Sequence, residues 1–206
     1  MKVTKMDEKH IQDIGHAFGY YDYGGEKGLD ACFRSKDALA AYIRGYVRCV
    51  LAGGFLYTTS ERGEGYIAYK LPGQKVGFQA TKLLLRGVRE SMNLKEIIQF
   101  VKAIAKGGPS LEDLMKKKKE PCIYVGMVCV REEYQGQGYM RKVMDIAFAE
   151  GNRLDLPVIL DTDARSKCEK YMHLGMELAG TRDFGDFGTM YDLIKYPDKT
   201  GTGKKA

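Results

Sequence analysis

Apolar residues fall at helical spacing over residues 7–18, where Ile11, Ile14 and Phe18 share one face behind Asp7 as a helix-opening residue. A second helix is predicted over 35–50, with Leu39, Tyr42, Ile43, Tyr46 and Val50 on one stripe and Gly53-Gly54 ending it. Between them, the stretch 19–28 is rich in tyrosine and glycine and reads as a loop. Residues 55–60 and 66–70 read as two strands around a glycine-containing turn. Residues 79–119 are helical in pattern, with breaks near Asn93 and at Gly107-Gly108-Pro109; Leu94, Ile97, Ile98, Val101 and Ile104 share one face of the middle piece.

The second half is more regular. Residues 122–130 form a β-branched strand, 138–151 a helix, 158–162 a short apolar strand entered through Pro157, and 166–174 a helix stopped by Gly175. Residues 177–182 and 189–196 read as a closing antiparallel pair. The order strand, helix, strand, helix, strand, strand predicts an α/β (α+β) fold with a mixed central sheet flanked by helices. The helical region 79–119 is read as an insertion before the strand at 122–130. Residues 1–196 then make a single domain, and 197–206 a flexible tail.

Composition narrows the function classes. The chain has 206 residues and a formal charge of +6, with part of the excess at Lys116, Lys117, Lys118, Lys119 and in the tail at Lys199, Lys204 and Lys205. Such runs usually lie in solvated loops, and no helix carries a basic recognition face, so no nucleic-acid partner is expected. No apolar run is long enough to span a bilayer, and the first ten residues lack the apolar core of a signal peptide; no membrane partner and a cytoplasmic location are expected. Five scattered cysteines form no Cys-x-x-Cys pair, and the three histidines show no ligand spacing, so neither disulfides nor a metal site is expected.

The chemical signal lies at a strand-to-helix junction. The stretch 128–140 reads Val-Cys-Val-Arg-Glu-Glu-Tyr-Gln-Gly-Gln-Gly-Tyr-Met. A glycine-rich turn at a helix start lets several amide N–H groups converge at the positive end of the helix dipole, which suits a diphosphate. The turn lacks the Gly-Lys-Ser/Thr ending of a P-loop, and Arg141 breaks a dinucleotide pattern. Taken alone, it fits an anion site and a tight structural turn equally well.

This stretch resembles the acetyl-CoA motif of the GNAT N-acetyltransferases, Gln/Arg-x-x-Gly-x-Gly/Ala after a strand. Gln135, Gly138 and Met140 stand at its positions, Met140 in place of the small residue. Residues 156–162 and the run Tyr171-Met-His-Leu-Gly-Met resemble the fifth strand and the Tyr-x-x-x-Gly-Phe segment of that superfamily, with spacing closest to puromycin-type acetyltransferases. Ala164 stands where the family often has Asn. The resemblance covers residues 120–195.

It implies transfer of an acetyl group from acetyl-CoA, with no metal, directly to the amine of a small-molecule acceptor. Val128, Cys129, Val130, Gln135, Gly136, Gln137, Gly138, Tyr139 and Met140 would bind the cofactor. Tyr171 matches the usual general acid, the alternative being a packed tyrosine. Tyr20, Tyr21, Asp22, Tyr23 and Glu26 would face the acceptor or simply pack and solvate their loop; Asp22 and Glu26 are the candidate bases. Many relatives pair as homodimers. A protein or peptide amine as acceptor, and a non-catalytic acyl-CoA sensor, stay open beside the small-molecule reading.

Overall fold

The structure, a computed structural model, describes residues 1–198. Residues 199–206, and with them most of the predicted tail, lie outside the described residues. Asp198 is tied back, accepting from the Asn152 amide at 2.8 Å and pairing with Lys195 at 3.1 Å.

The chain opens with α1 (Glu8–Gly19), whose first turn is capped by the Asp7 carboxylate accepting from the His10 N–H at 2.7 Å. After the tyrosine-rich loop, α2 (Lys36–Ala52) starts under a Ser35 cap. Two strands follow, β1 (Leu56–Thr58) and β2 (Gly65–Lys70). The first is shorter than predicted because Thr59 and Ser60 turn away to hold the Glu64 carboxylate with their hydroxyls at 2.8 and 2.7 Å. Three helices then lie between strands, α3 (Phe78–Ser91), α4 (Leu94–Gly107) and α5 (Leu111–Lys118); Asn93 and Ser110 each open one with a capping box.

The second half comprises β3 (Ile123–Val130), α6 (Tyr139–Leu154), β4 (Val158–Thr162), α7 (Arg165–His173), β5 (Glu177–Asp183) and β6 (Thr189–Lys195). The six strands form one sheet in the order β1-β2-β3-β4-β6-β5. β3 and β4 run parallel, and the other neighbours are antiparallel. This is the mixed sheet flanked by helices that the element order predicts.

Two apolar layers sandwich the sheet. On one face α1 and α2 pack on Leu56, Tyr66, Ala68, Met127 and Cys129. On the other, α6 and α7 cover Ile67, Tyr69, Ile123, Val125, Val158 and Leu160. Ile67, Val143 and Leu193 are fully buried in this second layer, each worth about 1.5–3 kcal/mol of burial. The alternation along β3 therefore changes sides: Ile123 and Val125 face α6, whereas Met127 and Cys129 face α2. A β-bulge supplies the shift, since Tyr69 pairs with Val125 and Ala68 with Met127, leaving Gly126 as the extra residue.

The inserted helices are held unequally. α3 lies tightly on α2 where Gly45 and Gly87 meet, each leaving no room for a β-carbon on the other. Among the described residues, no layer covers the outer side of α4. Of its predicted apolar face, Leu94, Ile98, Val101 and Ile104 are exposed, and Ala103 is the helix's buried residue.

Candidate active site

β3 and β4 are paired over only three rungs, Ile123 with Val158, Tyr124 with Ile159 and Val125 with Leu160. Beyond them the strands part. From Met127 to Val130, β3 stays paired with β2, and among the described residues no strand lies on its other edge. The bulge falls at the apex of this fork. A cavity of about 840 Å³ fills the fork and spreads between β3, α2, α4, α7 and the loop before β6.

At the open end of the fork, β3 runs into the turn 135–138 and α6. Gly136 and Gly138 have φ of 73° and 76°, a region that favours glycine, and a β-carbon at either would meet nothing. No side chain among the described residues caps α6. Its first N–H groups are therefore left for a ligand or water. Gln135 holds the turn by donating to the Val130 carbonyl at 3.2 Å, and Gln137 donates to the Glu133 carbonyl at 2.9 Å. Val128, Cys129, Val130, Gln135, Gly136, Gly138, Tyr139 and Met140 line the cavity; Gln137 turns away from it.

Tyr171 rises from α7 into the same cavity, 9% exposed. Burial, then the charge of Asp163, push its hydroxyl well above the ordinary phenol range, so it holds its proton at neutral pH. Burial likewise pushes the Cys129 thiol up to about 12, only partly offset by Arg131, which leaves it a packing group.

The tyrosine-rich loop is fastened to α7 by buried polar contacts. Asp163 accepts from the Tyr23 hydroxyl at 2.6 Å, the Leu29 N–H at 2.7 Å and Lys167 at 2.7 Å. Burial alone would raise the Asp163 carboxyl, but Lys167, Tyr23 and Leu29 hold it below the usual carboxylate range. Lys167 lies 4.3 Å from the centre of the Tyr21 ring and 4.4 Å from that of Tyr23. Glu26 reaches across to accept from the Arg165 N–H at 2.8 Å, supplying the cap that Ala164 cannot.

Of the loop residues proposed from sequence, Tyr21 reaches the cavity wall. Tyr20 is exposed and donates to Asp37 at 2.8 Å, and Asp22 accepts from the Gly24 N–H at 2.8 Å. Tyr23 and Glu26 are spent on holding the loop. Neither candidate carboxylate, Asp22 or Glu26, faces the cavity.

The closed end of the fork carries residues that the sequence did not single out. The Tyr124 hydroxyl donates to Asp161 at 3.1 Å, and Arg182 joins Asp161 at 2.7 Å to Asp192 at 2.9 Å. Tyr46, Phe100, Ile104, Phe184 and Phe187 form an aromatic and apolar wall around them. The signal for Asp161 was a carboxylate inside an otherwise apolar strand, a position that costs stability unless it is paired.

No protein-family model matches the sequence, and no curated protein does either. Solved structures do match. Over 96% of this chain and 95% of the other, the fold superposes at a TM-score of 0.60 and 15% identity on a Corynebacterium glutamicum structure described as histone acetyltransferase HPA2 and related acetyltransferase. Arylalkylamine N-acetyltransferase 2 of Aedes aegypti matches at a TM-score of 0.57 and 10% identity, over 94% of this chain and 97% of that one. The Drosophila melanogaster polyamine N-acetyltransferase that forms N-acetylagmatine matches at 0.50 and 12%, over 93% and 97%. The chain thus has the GNAT acetyltransferase fold.

Proposed function

We propose that this chain is an N-acetyltransferase that moves an acetyl group from acetyl-CoA directly to the amine of a small molecule. The observation that carries this reading is the β3–β4 fork, which opens toward the uncapped start of α6 and has Tyr171 in its wall. An uncapped helix start beside two glycines with open space above them suits a diphosphate. The free edge of β3 offers backbone groups to the amides of an extended pantetheine arm, as an added strand does. Bound acetyl-CoA would bring the activated carbonyl and a thiolate leaving group. The protonated Tyr171 hydroxyl suits it as the donor to that thiolate.

The neighbours named for arylalkylamine and polyamine acetylation favour a small amine, and so does the aromatic wall at the closed end of the fork. The test is thiol release from acetyl-CoA across a panel of arylalkylamines, polyamines and peptide N-termini. Turnover on small amines is expected. Turnover confined to peptides would replace the acceptor, and tight acetyl-CoA binding without turnover on any amine would overturn the catalytic reading.

A further inference from the structure

Asp161 stands one residue past the last rung joining β3 to β4, so it lies across the fork from the Gly126 bulge. Ile159, two residues earlier on β4, packs with Tyr124 away from the α6 layer, and strand alternation puts Asp161 on that same side. This is the side on which Tyr46 meets Gly126 and on which the aromatic wall stands. Asp161 therefore lies where the closed end of the fork meets the aromatic part of the cavity.

The ion pairing there is unbalanced. Arg182 is buried between two carboxylates. Its Nε and Nη2 form a two-pronged contact with Asp192, both at 2.9 Å, and Nη2 also reaches Asp161 Oδ2 at 2.7 Å. Asp192 takes the guanidinium fork, while Asp161 receives one prong from the side. Among the described residues, Asp161 Oδ1 accepts only the Tyr124 hydroxyl, which leaves lone pairs for a ligand. Asp161 and Arg182 line the cavity, and so does Asp113, which caps its own helix through Ser110. Lys70 lies 5.2 Å from the centre of the Tyr124 ring and reaches Glu112 at 3.4 Å, sharing that carboxylate with Lys116 at 2.9 Å. Lys167 and Lys170 line the cavity on α7, where Lys167 pairs with Asp163. At the closed end, Asp161, Asp192, Asp113 and Glu112 stand against Arg182, Lys70 and Lys116, a surplus of one negative charge next to aromatic faces, and both attract a cation.

We propose that Asp161, oriented by Tyr124 and Arg182, is the specificity residue that receives the cationic nitrogen of the acceptor, and that the pocket selects primary alkylammonium ions carrying an aromatic or apolar body. This inference deepens the N-acetyltransferase reading and rests on it for the meaning of the pocket. Phe100, Phe184 and Phe187 would cover the body of the acceptor while its nitrogen meets Asp161 at the apex of the fork.

The test uses binding rather than turnover, so that it fails separately from the catalytic reading. Calorimetry on the full chain compares 2-phenylethylamine, a cation at neutral pH, with 2-phenylethanol, its uncharged counterpart. The wild type is expected to favour the amine at least about tenfold, or about 1.4 kcal/mol. Asp161→Asn is expected to abolish that preference while acetyl-CoA affinity stays within about threefold of wild type. Equal binding of the two probes by wild type, or a preference that survives in Asp161→Asn, would overturn the assignment. If Asp161→Asn loses acetyl-CoA binding as well, Tyr124→Phe decides: a preference at least halved supports the assignment, and an unchanged one overturns it. Charge preference without thiol release would count against acetyl transfer alone, and thiol release without charge preference against Asp161 alone.

Discussion

The Tyr23 hydroxyl donates to Asp163 at 2.6 Å across 140 residues of sequence, and this contact joins the tyrosine-rich loop to the helix that carries Tyr171. Asp163 and Lys167 are a mostly buried pair, 15% and 16% exposed. Removing one partner of a buried pair strands the other. Asp163→Asn should cost about 3 kcal/mol at pH 7 by chemical denaturation. The folded carboxyl lies below its unfolded value of about 3.9. Its stabilisation is therefore present in full above that value and lost as pH falls through the folded one. The gap between wild type and Asp163→Asn should stay constant from pH 7 to 5 and close below about pH 4.

Tyr171→Phe keeps the ring in its packed place and removes the proton. Turnover should fall about 100-fold, with the Michaelis constant for acetyl-CoA within about threefold of wild type. Because the hydroxyl is held well above the phenol range, wild-type turnover should show no descending limb between pH 7 and about 10. Steady-state thiol release across that range checks both expectations, and unchanged turnover in the variant would remove Tyr171 from the mechanism.

Gly138 begins α6 at a φ that aspartate tolerates better than most residues. Gly138→Asp would put a carboxylate against the helix's own free N–H groups, where it competes with any bound phosphate. Acetyl-CoA affinity should fall by at least about tenfold, or 1.4 kcal/mol, with the far-UV circular dichroism unchanged. Undiminished affinity would place the diphosphate elsewhere.

A β-carbon on Gly126 would overlap the Tyr46 hydroxyl. Gly126→Ala should destabilise by about 1–3 kcal/mol through overpacking. Tyr46→Phe removes the offending oxygen, and the next ring atom lies at ordinary contact distance, 3.6 Å. The double variant Gly126→Ala, Tyr46→Phe should therefore regain most of the loss, a coupling of more than about 0.5 kcal/mol in a denaturation cycle. Simple additivity would mean that the backbone shape, not the hydroxyl, demands glycine.

Most of the architecture was legible because each signal was local. Asp7 and Ser35 mark helix starts, Gly175 a stop, and the apolar run at 158–162 lies where β4 is found. The fork was not legible, because it arises from where two strands stop pairing, and no residue pattern encodes that. The bulge left a faint mark, a glycine inside a β-branched strand. The loop residues misled for another reason. Asp22 and Glu26 look available in sequence, yet one closes its own turn and the other caps a helix 139 residues away. Asp161 was hidden within a strand read for its apolar neighbours, and its partner Arg182 lies 21 residues on. The exposed stripe on α4 shows that periodicity identifies a helix without saying whether anything lies above it.

The extra residue at Gly126 acts like a frameshift within the strand. Odd-numbered residues before it are addressed to the α6 layer, and odd-numbered residues after it to the α2 layer. Flattening the bulge with Gly126 kept in the ladder would impose an unbroken two-residue rhythm and force a choice between two misdirected halves. Either Tyr124 leaves Asp161 for the α6 layer, or Met127 and Cys129 leave the α2 layer. A straightened strand could thus keep every side chain of the site and still lose the site, because what the bulge stores is the side to which each residue is delivered.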